Sequence, residues 1–258
     1  MKFSNGCWLQ KEGCACFSPA EVYFVKKEGE KLILCAPTHK VAHRGDTLGG
    51  VNLTLEITTP LPDVIRVKTY HYKGTLSRAP QFDLNLPQDP GSMDADCGEE
   101  QIVVRSGRAK LVIDMKSFRM TYYIDDRKKC SSGWRDLAYM KTDWKGDAYV
   151  KSSDTDAYMR QQLSLGVGEL IYGMGERFAA MIRNGQSVDI WNEDGGTSTD
   201  QSYKNIPFYL SNKGYGVFVN HPEKVSFEVA TEAVTKVEFS VPGESLDYFF
   251  IGGEDLKD

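Results

Sequence analysis

The chain has 258 residues, 41% hydrophobic and 26% charged, values that allow a buried core in one large domain or two small ones. Its formal net charge is -5 and its 31 lysines and arginines are scattered rather than gathered into a stripe, so nucleic acid is excluded as an expected partner. No stretch approaches the roughly 20 apolar residues of a membrane helix. The start, Met1-Lys2-Phe3-Ser4-Asn5-Gly6, turns polar without an apolar signal core, so no membrane partner and a cytoplasmic location are expected.

In chain order, strand-like runs rich in valine, isoleucine and aromatics fall at 22–25, 31–36, 51–57, 64–72, 102–105, 109–114 and 118–124. In Val51-Asn52-Leu53-Thr54-Leu55-Glu56-Ile57 every second side chain is apolar, which sends one face of a strand into a core and the other to water. Asp125-Asp126 followed by Arg127-Lys128-Lys129 reads as a hairpin tip with a solvated charge run. After a charged and Ser-rich stretch the strand pattern resumes at 158–165, 169–172, 207–211, 216–220, 225–229, 236–241 and 246–251. The last of these runs include Val225-Ser226-Phe227-Glu228-Val229 and Val237-Glu238-Phe239-Ser240-Val241, each with its apolar side chains on one face.

Only 176–182 offers a short helical turn, so crossover helices and an α/β architecture are disfavoured. Two packed antiparallel sheets, an all-β sandwich with few short helices, are the natural solution for so many strands. The segments 88–100 and 143–156 read as excursions from a single sandwich rather than as linkers, and no internal repeat is visible.

Six cysteines, Cys7, Cys14, Cys16, Cys35, Cys97 and Cys130, lack paired zinc-ligand spacing, and the four histidines supply no second ligand pair. Free thiols, no metal site and no cofactor are the reading.

The most distinctive block runs over 165–222. It holds Gly173-Met174-Gly175-Glu176-Arg177-Phe178, Arg183-Asn184-Gly185-Gln186, Trp191-Asn192-Glu193-Asp194-Gly195-Gly196-Thr197-Ser198-Thr199, Tyr203-Lys204-Asn205-Ile206-Pro207-Phe208-Tyr209 and Gly214-Tyr215-Gly216-Val217-Phe218-Val219-Asn220-His221-Pro222. More than thirty residues separate the strand ending near Tyr172 from the one starting at Pro207, and loops of that length inside a domain are commonly functional. Sugars are held by carboxylates and amides that take hydroxyls, with an aromatic ring over the apolar face, and Trp191, Asn192 and Asp194 bring those groups together within four positions. The bland alternative is a turn at Asp194-Gly195-Gly196, where aspartate bonds its own backbone.

In order and wording these motifs resemble glycoside hydrolase family 31, in its bacterial α-xylosidase branch, and Asn5-Gly6-Cys7-Trp8-Leu9 and Tyr248-Phe249-Phe250-Ile251-Gly252 extend the likeness to both ends. The resemblance implies a galactose mutarotase-like supersandwich over 1–258, preceding a catalytic (β/α)₈ barrel. It implies an aglycone-side sugar contact for Asp194, with Trp191, Asn192 and Thr197 beside it, and tips the choice away from the turn. Family 31 enzymes retain configuration with two aspartates, both in the barrel, so the chain itself is expected to hold no catalytic residue and to be inactive alone. Its implied partner is an oligosaccharide held jointly with the barrel. A homo-oligomer of the full-length enzyme is left open.

The other candidates read as structure. Glu193 and Asp194 are neighbours on an extended chain and point to opposite faces, so they cannot flank one glycosidic bond. The Gly166-Val167-Gly168 and Gly173-Met174-Gly175 pairs lack the spacing of phosphate loops and read as strand bends. His221 reads as a turn residue, and Trp8, Trp134 and Trp144 as core or edge residues. Three alternatives stay open: the same domain of an α-glucosidase, a free-standing carbohydrate-binding module, and an aldose epimerase, which would need a glutamate with converging histidines.

Overall fold

The computed structural model describes residues 1–6, 9–74, 81–87, 93–142, 156–195 and 199–253. In them the chain forms nineteen strands and one 3₁₀ turn, Arg44–Thr47. The first half holds β1 (Ala15–Phe17), β2 (Phe24–Glu28), β3 (Lys31–Pro37), β4 (Asn52–Thr58), β5 (Val64–Tyr70), β6 (Asp94–Cys97), β7 (Gln101–Ser106), β8 (Ala109–Asp114), β9 (Arg119–Ile124) and β10 (Arg127–Ser132). Then follow β11 (Leu137–Lys141), β12 (Ala157–Ser164), β13 (Ile171–Gly173), β14 (Gln186–Ile190), β15 (Phe208–Ser211), β16 (Tyr215–Val219), β17 (Val225–Val229), β18 (Lys236–Pro242) and β19 (Ser245–Gly252).

These strands make three sheets, ordered β13-β15-β16-β19-β5-β4-β3-β2, β1-β11-β12-β18-β17-β14 and β10-β9-β8-β7-β6, with antiparallel ladders throughout. The alternation read in the sequence decides which face each strand buries. Leu53, Leu55 and Ile57 of β4, Val225, Phe227 and Val229 of β17, and Val237, Phe239 and Val241 of β18 are all fully buried. The eight-stranded sheet faces both of the others. Tyr122 of β9 stacks on Phe250 of β19 at 4.6 Å, and Phe239 of β18 meets Tyr248 of β19 edge-on at 5.2 Å. The two smaller sheets adjoin where the Ser131 amide donates to Ser164 Oγ at 2.9 Å. One apolar cluster runs through all three. The all-β antiparallel sandwich is therefore correct, with three sheets in place of the two expected.

Three expectations need correction. Residues 176–182 form bends and no helical turn. Their carbonyls are taken by side chains instead of by the amides a helix would supply: Arg183 Nη1 donates to the Ala180 oxygen, and Gln186 Nε2 donates to those of Ala180 and Ile182. The supposed thirty-residue loop before Pro207 is interrupted by β14, which pairs along β17 and buries Val188 and Ile190. That two-residue period was present in the sequence. Finally, the polar face of the six-stranded sheet does not simply meet water. Residues 1–4 lie on part of it, with Phe3 fully buried against Tyr158 and its amide donating to Glu232 at 2.7 Å. The covered residues, Arg160, Glu232 and Glu238, are almost wholly buried.

The segments 88–92 and 143–155, with Trp8 and Trp144, lie outside the described residues. Cys16, Cys35, Cys97 and Cys130 are free thiols.

Candidate functional site

The strand β13 ends in Gly173-Met174-Gly175, three successive residues with φ of 101°, 68° and 86°. This left-handed run turns the chain across the start of the 204–208 segment. A Cβ on Gly175 would stand 2.1 Å from the Lys204 carbonyl oxygen, so only glycine allows the crossing. The Glu176 amide then donates to the Lys204 carbonyl at 3.0 Å, and the motif is a bend at the end of the strand.

Arg177 follows, and its guanidinium works as a clasp. It donates to the carbonyls of Met174 (3.2 Å), Asp200 (2.7 Å) and Asp189 (2.7 Å) and to Asn205 Oδ1. Asn205 Nδ2 in turn reaches the Trp191 carbonyl at 2.8 Å, Asn192 Oδ1 at 2.9 Å and the Ser202 carbonyl at 2.6 Å. The stretches 191–195 and 199–205 are thus tied together at the base of the 191–205 segment, with an Asn192–Ser202 bridge between them. Arg177 and Asn205 were missed in the sequence. Both lie in quoted motifs, but no spacing rule links an arginine to an asparagine 28 positions on.

The structure separates the predicted sugar-contact residues. Trp191 is 50% exposed and lines a cleft of about 700 Å³ between the loop and the outer face of β12, β18, β17 and β14. Asn192 spends its side-chain oxygen on Asn205. Glu193 lines the cleft and accepts from Gln201 Nε2, whereas Asp194 is exposed and outside the cleft lining. Thr197 lies outside the described residues.

The cleft floor is built from outward-facing polar residues of the sheet. Asp189 takes Lys224 Nζ at 2.7 Å and the Ser226 hydroxyl; burial works to raise its carboxyl, but these bonds outweigh it and hold it below the ordinary value. Glu228 behaves alike. Burial again opposes ionisation, and the hydroxyls of Ser187 and Thr231 with the Met1 ammonium, 3.1 Å away, keep it lowered. Both carboxylates are charged at neutral pH and already paired.

Among the described residues no group of three His, Cys, Asp or Glu could hold a metal ion. His71 stacks on Tyr139 at 4.4 Å with Nδ1 3.1 Å from Glu244, whose other oxygen accepts the Tyr139 hydroxyl. Both oxygens of that glutamate serve to tie the end of β5 to β11.

Residues 54–228 match the glycosyl hydrolase 31 N-terminal galactose mutarotase-like domain. Over its whole length the chain is 39% identical to the α-xylosidase XylQ of Lactiplantibacillus pentosus, covering 32% of that protein. It is also 39% identical, again over its whole length, to an α-xylosidase of Emericella nidulans, covering 34%. The chain thus spans about a third of the length of these relatives. The cycloalternan-forming enzyme of Listeria monocytogenes, solved with a pentasaccharide substrate, shares the fold at a TM-score of 0.73 and 19% identity, over 94% of this chain and 21% of that one. The three-sheet sandwich, the glycine-bent motif that braces its loop and the whole-length identity agree, and the chain belongs to the family of glycosyl hydrolase 31 N-terminal galactose mutarotase-like domains.

Proposed function

We propose that the chain is the non-catalytic amino-terminal domain of a retaining α-glycosidase that removes terminal α-linked xylose. A (β/α)₈ barrel after residue 258 would carry the two catalytic aspartates, and the 191–205 loop would lend Asp194 to the aglycone side of their site. The observation that carries the reading is the 39% identity, end to end, with α-xylosidases of a bacterium and a fungus.

The chain's own carboxylates fit a binding role better than a catalytic one. Retaining hydrolysis needs two carboxyl groups about 5 Å apart across one bond, while Glu193 and Asp194 diverge, one to the cleft and one away from its lining. Asp194 is exposed, and the neighbouring Trp191 and Asn192 are tied down by Asn205, which supports a positioned sugar contact there. A cytoplasmic setting goes with the reading, and no described helix is long and apolar enough to cross a membrane.

The test uses the chain joined to its barrel, with aryl α-xyloside, aryl α-glucoside and a xylosylated oligosaccharide as substrates. The α-xyloside is expected to be preferred, the 258-residue chain alone to be inactive, and Asp194→Ala to cut kcat/KM on the oligosaccharide by about tenfold, a loss near 1.4 kcal/mol. Unchanged kinetics for Asp194→Ala would remove the loop contact. A preference for the α-glucoside would move the assignment to an α-glucosidase.

A further inference from the structure

We propose that the cleft between the 191–205 loop and the outer face of the six-stranded sheet binds a neutral saccharide, with the Trp191 indole as ring platform and the Ser240 hydroxyl as a polar partner. The proposal stands on the cleft's own lining and does not need the role given to Asp194.

Four observations carry it. The volume, about 700 Å³, lies in the range of small-molecule sites. Trp191 leaves half its surface exposed on one wall, and Tyr158 lies on the floor, so two aromatic rings are offered where the C–H face of a pyranose could pack. Ser240, on the floor in β18, is 2% exposed, and its Oγ has no hydrogen-bond partner among the described residues. A buried hydroxyl without a partner is unfavourable, and a ligand hydroxyl entering the cleft would satisfy it.

The fourth observation is charge. The cationic groups lining the cleft are already engaged: Lys224 with Asp189, the Met1 ammonium with Glu228, and Arg177 with backbone carbonyls. Glu193 and Asp200 add negative charge at the rim. Among the described residues a phosphate or other anion would therefore find no uncommitted cation, whereas sugar hydroxyls can donate to these carboxylates and accept from the Ser240 hydroxyl.

The test follows the indole N–H signal of Trp191 in ¹⁵N–¹H spectra of the 258-residue chain, assigned by its loss in Trp191→Phe. Methyl α-xylopyranoside, an α-xylosyl-(1→6)-glucose disaccharide and maltose are titrated to tens of millimolar, with inorganic phosphate in parallel. A saturable shift is expected with a neutral sugar and none with phosphate. Followed on neighbouring cleft amides, binding should weaken about tenfold in Trp191→Ala and several-fold in Ser240→Ala. The Ser240→Ala chain should melt no lower than wild type, since it loses an unsatisfied hydroxyl. No saturable shift with any neutral sugar, or a shift that both substitutions leave unchanged, overturns the proposal, as does tighter binding of phosphate. This readout is binding by the chain alone, while the aglycone contact is read by turnover, so either idea can fail without the other.

Discussion

Glu238 stands on a central strand with its carboxylate 1% exposed, facing the Arg160 guanidinium at 4.0 Å and accepting from Gln162 Nε2. Burial is the largest influence on it and the charge of Glu232 adds to this; Arg160 and Gln162 oppose both, and the carboxyl is pushed up to about 7 from 4.5. The folded chain therefore holds a proton between about pH 4.5 and 7 that the unfolded chain has released, so stability falls as pH rises through that window and levels off above it. Glu238→Gln keeps the shape and an amide that can still pair, and removes the titration. Urea midpoints measured from pH 5 to 8 should decline for wild type relative to the variant, by an energy on the order of 2 kcal/mol across the window. Parallel curves would show that Glu238 does not titrate there. None of this was legible in the sequence. The alternation of Val237, Phe239 and Val241 correctly sends Glu238 to the opposite face, but what seals that face is Phe3 and its neighbours, more than two hundred positions away.

The loop at 191–205 is an element whose location the sequence showed and whose construction it hid. The Gly-Met-Gly bend and the tryptophan-bearing run identified where a loop would leave the sandwich. Arg177 was legible only as a motif letter, because its partners are mostly main-chain carbonyls, one on its own segment and two on others. A planar guanidinium can serve several acceptors at fixed angles; an ammonium on a flexible stem cannot reproduce that fork. Arg177→Lys should therefore loosen the loop while leaving the sheets in place. Limited proteolysis is expected to cleave within 191–205 about tenfold faster than in wild type, with the melting temperature of the sandwich almost unchanged, as local opening is separable from global unfolding. Equal cleavage rates would mean that Asn205 and the Asn192–Ser202 bridge hold the loop without the arginine. The same substitution tests what the loop is for: if the proposed aglycone contact is right, the barrel-bearing enzyme should lose more on long substrates than on an aryl xyloside.

At the scale of the whole molecule, period-two patterning located most strands, and 109–114 and 225–229 were found from end to end. It could not give their partners, since any apolar strand face packs on any other, and so three sheets were read only as a sandwich. It also passed over β6, Asp94–Cys97, and β10, where polar and charged residues lie on strands whose neighbours, not their own side chains, supply the burial. What joins the layers is aromatic. The hydroxyls of Tyr122 in the five-stranded sheet and Tyr248 in the eight-stranded sheet meet at 2.6 Å in a fully buried setting, and burial pushes both phenols well above their usual range. They stay neutral, one donating to the other, and the pair has value only while both members exist. Tyr122→Phe strands the Tyr248 hydroxyl, and Tyr248→Phe strands that of Tyr122, so each single change should cost about 1–3 kcal/mol. Replacing both removes the two polar groups together while the rings still fill the core. The double variant should then be destabilised by clearly less than the sum of the singles in urea unfolding, with an unchanged slope showing that the layers still unfold as one. Strict additivity would mean that the two layers are coupled by packing of the rings alone.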